Sequence, residues 1–325
     1  MRIGAARLPL ACVMAFTLLL FSPRAGNADM VGHGGIVNGI AVSSDGTRVL
    51  SAGWDYVAIL WDMQQQAELM VLNEHVASVN RVAFLDNDRR ALTASWDHTV
   101  RLWDLEKGSV LKVFEGHINN IAGLALSPDG TRAATASWDR TVRLWDLETG
   151  ESLRVFEGHT ANVNDVVFTP DGSRLVSASY DLSIRVWDVE TGAQISKMEG
   201  HENSVNDLDL SADGRTLLSA STDETIRVWD IETGEEKAAW IGHEGFVSAI
   251  RLSPDGRFAL SAGRDRKIRL WSVADGDVVR MFEGHERPVW AVAFTPDGTR
   301  ALSAGHDEVV KVWDVETGTL IEASQ

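Results

Sequence analysis

Cysteine is almost missing from this chain: among 325 residues there is one, Cys12. A single thiol excludes an intrachain disulfide, so the fold must hold by packing alone even in an oxidising compartment. Positive charge is also scarce, with 30 lysines and arginines against 47 aspartates and glutamates and a formal net charge of −17. That balance excludes the basic stripe that nucleic acid requires and disfavours an acidic membrane surface. Long apolar runs are absent except from Leu8 to Phe21, which Pro9 interrupts. A bilayer span takes roughly 20 apolar residues, so a membrane-spanning bundle is excluded. There is no Cys-x-x-Cys-His, no glycine-rich phosphate cradle and no nucleophile elbow, which removes haem attachment and the common nucleotide and hydrolase signatures.

The one apolar run follows Arg2 and Arg7 and precedes the small residues Ala25-Gly26-Asn27-Ala28, the build of a secretory signal peptide. The expected organisation is therefore a signal at residues 1–28, cleavage after Ala28, and a mature domain from 29 to 325. Such a product is periplasmic or extracellular and is not inserted in the membrane once the signal is removed. Loss of Arg2, Arg7 and Arg24 takes its charge from −17 to −20. Cys12 lies inside the run, after Leu8-Pro9-Leu10-Ala11, a poor match to a lipid-attachment site. It reads as a small hydrophobe discarded with the signal.

What is present is repetition. Seven histidines, His33, His75, His117, His159, His201, His243 and His285, stand 42 residues apart. Trp61, Trp103, Trp145, Trp187, Trp229, Trp271 and Trp313 keep the same spacing, and all but Trp271 precede an aspartate. The unit from His159 to Gly200 holds four short apolar or alternating runs, at 163–168, 175–178, 184–187 and 193–198. Four strands per unit follow. Between the first two, Thr169-Pro170-Asp171-Gly172 puts proline where φ near −65° is wanted and glycine where φ is positive. A four-stranded meander with two apolar faces cannot stand alone, but seven set radially cover one another's faces. The expected fold is all-β: a seven-bladed β-propeller of four-stranded antiparallel blades.

Gly-His and Trp-Asp pairs at this spacing resemble the WD-repeat family, and the likeness runs from residue 32 to 325. It implies that the second and third strands of each blade are joined on the same "top" face as the Gly-His loop. It also implies a hydrogen-bonded set within each blade. In blade one the matching residues are His33, Ser51, Asp55 and Trp61; in blade four they are His159, Ser177, Asp181 and Trp187. The other blades supply Thr93, Thr135, Ser219, Ser261 and Ser303 with Asp97, Asp139, Asp223, Asp265 and Asp307. Three places depart from the pattern: Glu74 before His75, Ser272 after Trp271, and Met63-Gln64-Gln65-Gln66 in place of a Glu-Thr-Gly turn. Relatives often close the ring with the N-terminus, but only Asp29 to Gly32 precede His33 in the mature chain. Closure is therefore expected from Thr319 to Ala323.

Aligned histidines and aspartates invite a metal or a catalytic role, which the implied set absorbs, since each histidine recurs with its own hydroxyl partner. His98 and His306 fall outside the series with no Cys or His at ligand spacing. Acidic turns such as Ser127-Pro128-Asp129-Gly130 lack the dense oxygen ligands of a calcium loop. Arginines at 101, 143, 185, 227 and 269 recur two residues before the tryptophans and read as ion-pairing or stacking groups within their blades. Catalysis needs an asymmetric constellation, and here nearly every ionisable residue repeats. No catalytic residue, metal or cofactor is expected.

Asymmetry is confined to a few positions. Before the tight-turn aspartate stand Trp54, Trp96, Trp138, Tyr180, Thr222, Arg264 and His306. Five residues after the histidine stand Asn38, Asn80, Asn164, Asn206 and Trp290. Trp54, Trp96, Trp138, Tyr180 and Trp290 are the candidate partner-binding arc, because indole and phenol side chains combine apolar area with a polar edge. The sequence thus reads as a non-catalytic exported scaffold, monomeric in isolation, holding a protein or peptide partner on its top face. The competing reading is an accessory subunit of a periplasmic redox or hydrolytic enzyme system.

Overall fold

The computed structural model describes residues 29 to 322; the expected signal segment and Ala323 to Gln325 lie outside that range. Twenty-eight strands, numbered β1 to β28 in chain order, make seven four-stranded antiparallel sheets with no helix among the described residues. Blade four shows why the unit folds as it does. Its strands are β14 (Val163–Phe168), β15 (Arg174–Ser179), β16 (Ser183–Asp188) and β17 (Gln194–Glu199), hydrogen-bonded in that order. From Leu175 to Ser179 every residue of β15 is buried, whereas on the outer β17 only Met198 is. A central strand flanked by two blades needs small or apolar residues on both faces, and an edge strand on only one. The Thr169–Gly172 turn closes with Gly172 N–H donating to the Thr169 carbonyl at 2.8 Å and Gly172 at φ +70°.

No blade owns a core. Val176, Ala178, Ile184, Val186 and Met198 of blade four pack against Val205, Leu208, Leu217, Trp229 and Ile231 of blade five, and the other six clusters join neighbours in the same way. Each interface is the hydrophobic core of two sheets at once, so stability accrues only when the ring is complete.

Closure differs from the expectation. The outer position of blade seven is taken by β1 (Asp29–Val31), paired antiparallel with β28 (Val309–Asp314) in the register Asp29↔Lys311, Met30↔Val310 and Val31↔Val309. The C-terminal segment covers only the remainder, through a Trp313↔Leu320 bridge and an Ile321 N–H bond to the Val312 carbonyl at 2.8 Å. Three residues suffice because they are anchored at two points. Met30 is 1% exposed within the cluster shared by blades seven and one, and Asp29 pairs with Lys311 at 2.5 Å.

Candidate functional site

In all seven blades the indole N–H of the third-strand tryptophan donates to a second-strand hydroxyl. That hydroxyl bonds histidine Nε2, and Nδ1 meets the tight-turn carboxylate. In blade four the distances are 2.8 Å from Trp187 to Ser177, 2.8 Å from Ser177 to His159 and 2.9 Å from His159 to Asp181. In blade one Trp61, Ser51, His33 and Asp55 follow the same path at 2.7, 2.7 and 2.9 Å. A carboxylate can only accept, so the proton sits on Nδ1 and Nε2 accepts from the hydroxyl. Burial depresses the pKa of His159 more than Asp181 raises it, keeping the ring neutral. For Asp181, burial alone would raise the pKa, but hydrogen bonds from His159, Ser183 and the Thr160 N–H outweigh it and hold the carboxyl well below its usual range.

These sets contain Ser-His-Asp geometry without a usable nucleophile. Each of the seven hydroxyls is 0% exposed and already carries an indole N–H. Their effect is to lock the Gly-His loop to the tight turn. Asp181→Ala should therefore cost about 1–3 kcal/mol, since His159 and the Thr160 N–H lose their acceptor while staying in place. Urea unfolding checks this, and an unchanged midpoint would refute the role.

The asymmetric positions gather around the propeller axis. Each innermost strand carries a β-bulge at its second residue, at Asn38, Asn80, Ala122, Asn164, Asn206, Ser248 and Trp290. A bulge re-aims its side chain, and all seven line one funnel of about 380 Å³ at the mouth of the channel, together with Trp54, Trp96, Trp138 and Tyr180. Trp54, Trp96 and Trp138 overlap like shingles, with ring centroids 5.0 and 5.2 Å apart. Trp290 is not in that stack; it pairs at 5.2 Å with Phe246. Sequence reasoning missed Phe246, although it is the only aromatic three residues after a series histidine. The indole N–H groups of Trp54, Trp96, Trp138 and Trp290 are shielded from solvent without an acceptor. Carbon surface is what they offer the funnel, and the polar aromatic edge comes from Tyr180, which is 50% exposed.

The asparagines are staples between blades. Nδ2 of Asn80, Asn164 and Asn206 donates to the carbonyls of Ile121, Val205 and Val247 at 3.0, 2.8 and 2.8 Å. Beneath them lies a charged floor that the sequence reading also missed. Arg81 of blade two reaches Asp207 of blade five at 3.5 Å, across the axis, and Arg251 bonds the same carboxylate at 2.5 Å. Asp165 and Asp209 complete the cluster, each accepting a backbone N–H from the next blade, at Leu208 and Leu252. Three carboxylates thus face two guanidiniums. Burial, reinforced by Asp207 and only partly offset by Arg81 and Arg251, pushes Asp165 up to about 7. Burial likewise lifts Asp209 to about 6 against the pull of Arg251.

Seven copies of the family model described as "WD domain, G-beta repeat" match residues 27–62, 66–104, 108–146, 150–188, 192–230, 234–272 and 276–314. The chain belongs to the WD-repeat family. No curated protein is found to match it. Each WD repeat straddles two blades, beginning with the outer strand of one and ending with the third strand of the next, and the first repeat starts at residue 27. In that frame β1 is an ordinary outer strand. Met30 stands three residues before His33 just as Leu72, Phe114, Phe156, Met198, Trp240 and Phe282 stand before their histidines, and all seven are buried. That series was the available signal for closure. The WD-repeat departures are accommodated locally: Glu74 faces Arg101 at 3.9 Å, Ser272 Oγ bonds Asp275 at 3.0 Å, and Gln66 takes φ +49° where the other blades have glycine. Of the recurring arginines, Arg185, Arg227 and Arg269 approach their own tight-turn aspartates at 3.7, 4.0 and 2.7 Å.

The floor also sets a pH dependence. Asp165, facing Asp207, Arg81 and Arg251, holds a proton in the folded WD propeller that the unfolded chain releases above about 4. Its contribution to stability is present at low pH and declines as pH rises through 7. Asp165→Asn keeps an acceptor for the Leu208 N–H and removes the surplus charge. It should stabilise the protein at both pH values, by about 1–3 kcal/mol more at pH 8 than at pH 5, where the folded carboxyl is protonated. Unfolding curves at the two pH values would contradict this by showing equal shifts.

Proposed function

We propose that this propeller is an exported scaffold that holds a protein or peptide partner on its top face, with no reaction of its own. WD-repeat propellers are commonly interaction scaffolds. The observation carrying the finer reading is the aromatic lining of the funnel: blades one to four turn Trp54, Trp96, Trp138 and Tyr180 to the axis, blade five has Thr222 there, and Phe246 and Trp290 line it from blades six and seven. Uniform ring support would need the same residue in every blade. A concentrated aromatic surface is the profile of an interface centre. Capture from the native compartment with wild type and with Trp96→Ala/Trp138→Ala tests it: the partner should be retained by the first and lost by the second. A stoichiometric enzyme among the captured proteins would make this chain its accessory subunit.

Export rests on the segment Leu8 to Phe21 and on the absence of thiols after Cys12. Cleavage after Ala28 would keep the described pairs from Asp29 to Val31 with β28. The intact mass of the native product should correspond to a chain starting at Asp29. Recovery of Met1 or of a lipidated Cys12 would overturn the export reading.

A further inference from the structure

We propose that the funnel receives the cationic head of a basic side chain, an ammonium or guanidinium, from a peptide segment of the partner. The inference rests on the docking reading above and adds the chemistry of what is inserted. Its basis is the aromatic lining of the opening, two amide oxygens without a donor, and the charge of the floor. Both N–H groups of Asn164 Nδ2 and of Asn206 Nδ2 are taken, by Ser204 Oγ with the Val205 carbonyl and by Thr222 Oγ1 with the Val247 carbonyl, while Asn38 and Asn80 each use one, on Asn80 Oδ1 and on the Ile121 carbonyl. Arg81 Nη1 donates to the carbonyls of Asn38 and Asn80, and its Nη2 faces Asp207. The four indole N–H groups are shielded. The opening therefore presents π surface from the tryptophans and Phe246, the Tyr180 hydroxyl, and amide oxygen, since among the described residues Asn38 Oδ1 and Asn164 Oδ1 accept no protein hydrogen bond.

Charge points the same way. Asp165 and Asp207 directly follow the funnel-lining Asn164 and Asn206, and the floor holds one more carboxylate than guanidiniums. At pH 8, where Asp165 is ionised, an anion entering here would meet the surplus carboxylate charge. A neutral apolar group would cover the oxygens without satisfying them. A cation carrying N–H donors supplies the missing positive charge, bonds the free oxygens and lies against aromatic faces, an attraction that grows as water is expelled.

The test uses the full mature propeller at pH 8 and four capped peptides differing at one central residue: arginine, lysine, citrulline and norleucine. Tryptophan fluorescence and calorimetry read the binding. Arginine and lysine peptides should bind saturably and at least about tenfold more tightly than the uncharged pair, a difference of about 1.4 kcal/mol. Asp165→Asn should weaken the arginine peptide several-fold and leave citrulline unchanged, and because that variant is expected to be the more stable protein, misfolding cannot imitate the result. Equal affinity for arginine and citrulline overturns the proposal, as does an arginine affinity indifferent to Asp165→Asn, or no saturable binding of any peptide into the millimolar range. Equal binding of all four that is lost in Trp96→Ala/Trp138→Ala removes the charge preference while the docking reading stands. Unaltered capture of the native partner by that double variant removes the docking reading itself.

Discussion

Met30→Ala should destabilise the propeller by about 2–4 kcal/mol, more than deletion of residues 319 to 325. The side chain is 1% exposed and packs with Val310 and Val312 of blade seven and with Val37, Ile59 and Trp61 of blade one. Truncating a buried methionine removes its transfer energy and leaves a cavity. The position also matters for the ring as a whole. The Asp29–Lys311 pair joins residues 282 apart in sequence, so β1 is where the two ends of the array are held together, and a ring opened there leaves one blade interface uncovered on each side. By contrast, Leu320 and Ile321 are only partly buried. Removal of residues 29 to 31 altogether should uncover the Val309–Lys311 edge and favour association through it. Unfolding midpoints and size-exclusion profiles of the three variants decide the matter. If the C-terminal deletion proves the more damaging, closure belongs to that segment.

Trp96→Ala/Trp138→Ala should weaken partner binding by about 3–5 kcal/mol while costing the fold no more than about 1–3 kcal/mol. Both rings sit half-buried at the funnel, stacked on Trp54 and on each other. Each stacked pair of rings is worth about 0.5–1.5 kcal/mol, and neither indole donates a hydrogen bond to the protein. Removing an aromatic pair from the centre of an interface is expected to cost several times more. The contrast is Trp145→Ala, seven residues beyond Trp138: its indole is 2% exposed and bonds Thr135 at 2.8 Å, so that variant should unfold. Should the double variant also unfold, the funnel aromatics are ring packing and the docking face lies elsewhere.

The sequence alone was enough for the blade and the number of blades, and its resemblance to the WD-repeat family implied the members of each hydrogen-bonded set. Those bonds recur at fixed separations of 10, 18 and 22 residues, so one period of 42 displays them all. Closure was legible too, because Met30 is in phase with six other buried residues, but a segment of three residues looked too short until its anchoring by Lys311 and the blade-one core was in view. Only the tertiary structure decided what happens on the axis. It separated Trp290 from the other tryptophans and gave it to Phe246, turned the asparagines into staples, and set Arg81 against Asp207 from blades on opposite sides. Residues that meet there come from different blades at no common spacing, and a repeat in sequence records what each blade does with its neighbour. The field at the centre of the ring is the sum over all seven, and it exists only once the ring has closed.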